Sequence, residues 1–217
     1  SSSDYVAASA EISSLTQTDE NEISIQAQTG DPDFRGFEIA RTQFFGTAQK
    51  VRVTFSMDNI TFSSDALKKL NNPEYVEFLV HPQKKFFAVR KCDRNCRTAV
   101  KWASSASGKP MPKPISCAAY IETIFDLFHW DPKYRYRASG VRRQRVEESV
   151  LIFDLNETEI LIPAEFLDEF RQQNDVSNLE FSPLHLPGRK QTILAYPQSW
   201  ADSFGSEYYK HLSLIHI

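Results

Sequence analysis

The chain has 217 residues, 41% of them hydrophobic and 24% charged, which suits a soluble globular protein with one ample core or two small ones. Its longest apolar runs, such as SVLIF at 149–153, fall far short of the roughly 18 residues a membrane-spanning helix needs. No basic-then-apolar leader opens it, and three cysteines are too few and too odd for a secreted disulfide scaffold, so the expected location is the cytoplasm, with no membrane partner.

The net charge of −3 conceals a segregation. Residues 1–40 hold eight acids and one base, residues 41–146 hold twenty bases and eight acids, and residues 147–217 hold twelve acids and four bases. A basic middle between acidic ends points to a surface that faces a polyanion, with flanks that screen it or meet another protein.

In chain order, residues 1–35 are polar and acidic without a sustained period and read as a disordered or linker segment. Order is expected from Gly36. Short strands follow at 52–55 and 59–62 around a Met57-Asp58 turn, and Ser63 or Ser64 caps a helix that runs to Leu70 and stops at Asn71-Asn72-Pro73. The stretch EYVEFLVHPQKKFFAVRKC reads as a hairpin, strands at 75–80 and 86–90, with Val76, Phe78 and Val80 on the core face and Glu77 on the wetter one. SSASGKPMPKP has the composition of an exposed loop.

The best helix candidate is 116–130, SCAAYIETIFDLFHW. Ala118, Ile121, Phe125 and Phe128 recur at helical spacing, Ile124 and Leu127 widen the stripe, Ser116 is placed as the cap and Asp131-Pro132 as the stop. A strand is expected at 133–140, followed by a basic loop, VRRQR. ESVLIFDLNETEILIP at 148–163 then reads as a second hairpin about an Asn-Glu turn. An amphipathic helix at 164–173, a strand at 189–196 and a short helix at 197–204 complete the chain. The last six residues, 212–217, are similar to a one-frame translation of a sequencing-library adapter and are expected to be an artefact.

No Gly-rich phosphate loop, HExxH pair or GxSxG elbow is present, so no catalytic residue, no enzymatic activity and no cofactor is assigned. Cys92, Cys96, Cys117 and His129 form a conceivable zinc set, but the spacing is irregular and structural thiols are the simpler reading, so no metal is assigned. The basic groups are more suggestive. Lys84, Lys85, Arg90, Lys91, Arg94, Arg97 and Lys101 form one cluster, and Lys133, Arg135, Arg137, Arg142, Arg143 and Arg145 a second. In YRYRASGVRRQR, tyrosines alternate with arginines, so one strand face can pack rings while the other carries guanidinium forks suited to phosphate oxygens. DNA is the expected partner. A solvated face neutralised by the acidic ends is the competing reading.

GFEIARTQFF, VRVTFSMDNITFSSDALKKLNNPEYVEFLVHPQKKFFAVRKC, KPMPKPISCAAYIETIFDLFHWDPKYRYRASG, ESVLIFDLNETEILIP and YPQSWADSFG together resemble short recombinase-associated proteins of bacterial mobile genetic elements, often labelled "integrase". The resemblance runs from about 36 to 211. It implies an accessory, DNA-associated role in site-specific recombination or integration, with a recombinase as a further partner. A tyrosine recombinase needs a His-x-x-Arg pair, which neither His81-Pro-Gln-Lys nor His129-Trp-Asp-Pro supplies, so the expected role is non-catalytic. The alternative is an interaction module that contacts the recombinase without binding DNA. The expected fold is α+β, antiparallel β-hairpins packed on one main amphipathic helix over 36–163, with a smaller C-terminal extension over 164–211.

Overall fold

A computed structural model describes residues 51–104, 108–144 and 147–200. The expectations for 1–35, for the start of order at Gly36, for Arg145 and for 212–217 lie outside the described residues.

Among the described residues the first elements are β1 (Arg52–Phe55) and β2 (Ile60–Phe62), paired antiparallel around Met57-Asp58. Helix α1 (Ser64–Lys69) starts where expected. Ser63 caps it, its hydroxyl accepting from the Ala66 amide, and Asn71 and Asn72 end it in left-handed conformations at φ 61° and 52°. The quoted hairpin is β3 (Tyr75–His81) and β4 (Phe86–Lys91), in register from Val76↔Lys91 to His81↔Phe86. Val76 and Val80 are fully buried as the alternation requires, and Phe78 packs against them. Short strands β5 (Val100–Lys101), β6 (Ala103–Ser104) and β7 (Met111–Pro112) follow, β5 on the edge of β3 and β6 paired with β7.

Helix α2 (Ala118–Phe128) buries Tyr120, Ile121, Ile124 and Phe125. Its ends differ from the sequence reading. Cys117, not Ser116, is the N-cap and gives no side-chain hydrogen bond. The stop is His129, left-handed at φ 55°, whose following amide, Trp130, closes onto the Phe125 carbonyl two residues before Pro132. Ala118 is exposed and Tyr120 takes its place on the stripe.

Next, β8 (Arg135–Gln144) and β9 (Ser149–Asp154) pair antiparallel, followed by β10 (Glu159–Pro163), a 3-10 turn (Ala164–Phe166), α3 (Leu167–Gln173), β11 (Leu179–Leu184) and β12 (Thr192–Pro197). Of the expected 197–204 helix, residues 198–200 are helical, Pro197 is the last residue of β12, and 201–204 lie outside the described residues.

These strands correct the expected fold class. The protein is mostly β, a ten-stranded antiparallel sheet among the described residues, in the order β11-β12-β10-β8-β9-β4-β3-β5, with β1 joining β8 and β2 joining β1. Helices are short accessories to that sheet, not the platform on which hairpins lie. The physical reason for the error is that one eleven-residue amphipathic helix gives a long periodic signal, whereas strands of two to six residues with mixed polarity give almost none. The second hairpin is corrected too. β9 and β10 do not pair with each other; β9 lies between β4 and β8, and β10 between β8 and β12. The expected basic loop after Gly140 is strand through Gln144.

Strand β8 joins the two halves of the sheet. Residues 135–137 pair with β10 and 136–139 with β1, whereas 140–144 pair with β9. The inner faces of the two halves meet in one core. Phe55 of β1 packs edge-on against Phe87 of β4, with centroids 5.2 Å apart, and Phe62 of β2 stands against Phe78, Phe87 and Phe153. α2 closes this core through Phe125, which meets Tyr136 and Trp130 edge-on, while Trp130 stacks on Tyr136 at 4.4 Å. The strand therefore has to change partners at Gly140, directly opposite Phe153. A Cβ there would sit 2.5 Å from the Phe153 ring.

Gly140→Ala is expected to lower stability by about 1 to 3 kcal/mol through overpacking, seen as a lower urea midpoint with an unchanged slope. An unchanged midpoint would show that the ring does not press on the strand.

Candidate nucleic-acid interface

The alternation along β8 is as the sequence suggests. Tyr134, Tyr136 and Ala138 are buried in the core, so Arg135 and Arg137 lie on the outer face, and the register sets Thr61, Thr54, Arg137 and Glu159 in one row across four strands. Arg137 is engaged there. Its Nε and Nη2 donate to the two carboxylate oxygens of Glu159 at 3.0 and 2.9 Å, and both side chains are close to fully buried, at 11% and 6% exposure. This fork-to-carboxylate pair staples β8 to β10. Lys133 is similarly held, donating to Glu169 of α3 at 2.6 Å and lying 3.6 Å from Asp131.

Arg90 is the third engaged base. Its Nε donates to Glu77 across the β3–β4 pair and lies 3.8 Å from Glu148, while the Thr98 hydroxyl donates to the other Glu77 oxygen at 2.7 Å. Glu77 is therefore on the wetter face, as its place in the alternation implies, and it ties the segment after β4 back to the hairpin.

The remaining candidates fall in separate places. Lys84 and Lys85 sit exposed on the β3–β4 turn. That turn is held rigidly: the Lys84 amide donates to His81 Nδ1 at 3.0 Å, Lys85 is left-handed at φ 57°, and Asn156 Nδ2 donates to the Lys84 carbonyl. Lys91, Arg94, Arg97 and Lys101 are exposed at the other end of the hairpin, roughly 20 Å along the strand at ~3.3 Å per residue. Arg142 is exposed and Arg143 half-buried on the end of β8, where β9 is the only strand partner among the described residues. Charge on such an edge also discourages strand addition. Arg135 is half-buried beside Arg189, and burial, then Arg189 and Arg137, push its guanidinium down to about 10.

Sequence reasoning missed four further bases near the hairpin exit. Lys68 and Lys69 are exposed in the last turn of α1, where they complement the helix dipole, and Lys109 and Lys113 are exposed on either side of β7, in the ribbon that packs on α1. The Leu70 and Asn71 end of α1 and the Lys91-Cys92 exit line one cleft of about 450 Å³. The GKPMPKP spacing was the available signal; it reads as loop composition and hides the charge. Acids also enter this region, since Glu147, Glu148 and Asp93 line the same cleft.

The zinc reading does not assemble. Cys117 and His129 flank α2, about 18 Å apart along its axis at ~1.5 Å per residue, so they cannot share an ion. Cys92 and Cys96 are near each other, and burial, then Cys96, pushes the Cys92 thiol up to about 11. All three cysteines are free, and among the described residues no cluster of three metal-ligating side chains exists. Comparison with protein-family models, with curated proteins and with solved structures finds no match.

Two outcomes follow for the engaged and the thiol groups. Glu159→Ala removes the buried carboxylate that the Arg137 fork grips and should destabilise the protein by about 3 to 5 kcal/mol, whereas Arg142→Ala should stay within about 0.5 kcal/mol, both read by chemical denaturation. At pH 8, iodoacetamide should modify the exposed Cys96 and Cys117 well before Cys92, which stays protonated; mass mapping that finds Cys92 first would contradict the burial described.

Proposed function

We propose that the protein is a non-enzymatic, DNA-associated accessory factor, binding the phosphate backbone through the basic face around the hairpin exit. One observation carries this reading. Lys91, Arg94, Arg97 and Lys101, joined by Lys68 and Lys69 of α1, are exposed and make no ion pair among the described residues. Arg90, Arg137 and Lys133, which have carboxylate partners, are removed from the binding role and become parts of the fold. A face of this kind attracts DNA by counterion release and carries no sequence information of its own. Its assignment to site-specific recombination or integration rests on the sequence resemblance over 36–211.

A second reading, a module that contacts a recombinase without touching DNA, is favoured by Met111. This side chain is 50% exposed on the β6–β7 ribbon, a large apolar group held out of the core.

Salt titration of duplex binding tests the first reading. Affinity should fall steeply with salt, and replacing Arg94, Arg97 and Lys101 with Ala should flatten the log–log slope by about three, roughly one for each phosphate no longer neutralised. Arg142→Ala with Arg143→Ala reports whether the β8 edge also meets the duplex. Absence of binding by the wild type at low salt would sink the DNA reading. Capture of a site-specific recombinase that Met111→Ser abolishes would support the second.

A further inference from the structure

On the outer face of the β1–β2–β8 half lies a pocket of about 300 Å³, lined by Thr54 and Ser56 of β1 and its turn, Thr61 of β2, Arg135 of β8 and Arg189 from the segment before β12. The register explains the convergence. Thr61 and Thr54 share a row with Arg137, and Arg135 precedes Arg137 on the same face, so two hydroxyls and a guanidinium are set on one surface by pairing, while the Ser56 hydroxyl is spent in the turn, donating to the Asn59 carbonyl and accepting from the Asp58 and Asn59 amides.

The two arginines are unusual among the basic groups. They come from segments more than fifty residues apart in sequence and stand close enough for Arg189 to disfavour the Arg135 charge. No hydrogen bond or ion pair joins either side chain to a carboxylate among the described residues. The neighbouring acids are otherwise engaged, Glu159 by Arg137 and Glu169 by Lys133. Asp58 lines the pocket, exposed, without pairing to either arginine. Two like charges held together with one of them half-buried are unfavourable until an anion sits between them.

We propose that this pocket binds a phosphate monoester, its oxygens taken by the Arg135 and Arg189 forks and by the Thr54 and Thr61 hydroxyls. A phosphate monoester carries nearly two negative charges at neutral pH and three strong acceptors, matching two guanidiniums and a set of hydroxyl donors better than a single carboxylate does. The volume lies at the small end of ligand pockets and suits a head group, not a length of polymer backbone. The group can come from a small molecule or from the terminal phosphate of a nucleic-acid strand. The site shares no lining residue with the cleft at the hairpin exit and does not depend on it.

Calorimetric titration of the whole chain tests this with inorganic phosphate, a nucleoside 5′-monophosphate, and one short oligonucleotide carrying either a 5′-phosphate or a 5′-hydroxyl. Saturable binding of a phosphate monoester is expected, weakened about tenfold or more by Arg189→Ala, which alters an exposed residue, and by Arg135→Lys, which keeps the charge and loses the fork. Nucleotide binding without preference for the phosphorylated strand assigns the small molecule; preference for the 5′-phosphorylated strand assigns the strand end. No binding of any phosphate monoester by the wild type, or binding that Arg189→Ala leaves unchanged in a variant of wild-type melting temperature, overturns the proposal. Duplex with 5′-hydroxyl ends reads the basic face alone, so the two sites fail separately.

Discussion

The structure depends on β8 serving two halves of one sheet, and β8 can do so because Gly140 leaves room for the Phe153 ring. Residues before it pair with β1 and β10, residues after it with β9, and the aromatic core fills the space between the two inner faces. Phe55, Phe62, Phe87 and Phe153 come from four strands drawn from both halves. Buried aromatic contacts of this kind contribute about 0.5 to 1.5 kcal/mol each beyond their apolar area. Secondary structure outside the sheet is arranged around that core: α2 closes it with Phe125 and the Trp130–Tyr136 stack, and α3 adds Phe170 against Tyr134.

The same strand decides which bases are structural. Its inward tyrosines and outward arginines follow from alternation, but the outward residues meet different neighbours. Arg137 finds Glu159 and becomes a buried staple; Arg135, two residues earlier, pairs with no carboxylate among the described residues and lies beside another arginine. Arg142, beyond the glycine, projects from an edge. Basic residues of one sequence run thus take three physical roles, set by the strand that pairs with them.

Local signals in the sequence were legible where they were complete in themselves. Ser63, the paired asparagines after α1, and the alternation of Val76, Phe78 and Val80 each act through near neighbours, and each stands as read. What could not be read depends on distant pairing. SVLIF and EILIP look like the arms of one hairpin, yet their partners are β4, β8 and β12 and not each other. Leu179–Leu184 gave no strand signal because Glu180, Ser182 and Pro183 interrupt it, and it forms on the edge of β12, where a proline is tolerated. For the site, a list of basic residues was available but not their partition. Arg90 and Arg137 resemble Arg94 and Arg142 in composition, and the carboxylates of Glu77 and Glu159, brought across the sheet, separate them. Arg189 was invisible for the same reason, lying in an acidic stretch fifty-four positions after Arg135.

The central claim is that one strand makes the two halves a single cooperative body, and native-state hydrogen exchange measures that directly. Slowly exchanging amides of β4 and β9 in one half and of β10 and β12 in the other should share one opening free energy, equal to that of global unfolding, and respond identically to denaturant. Two distinct opening energies, with one half exchanging while the other stays protected, would contradict the account.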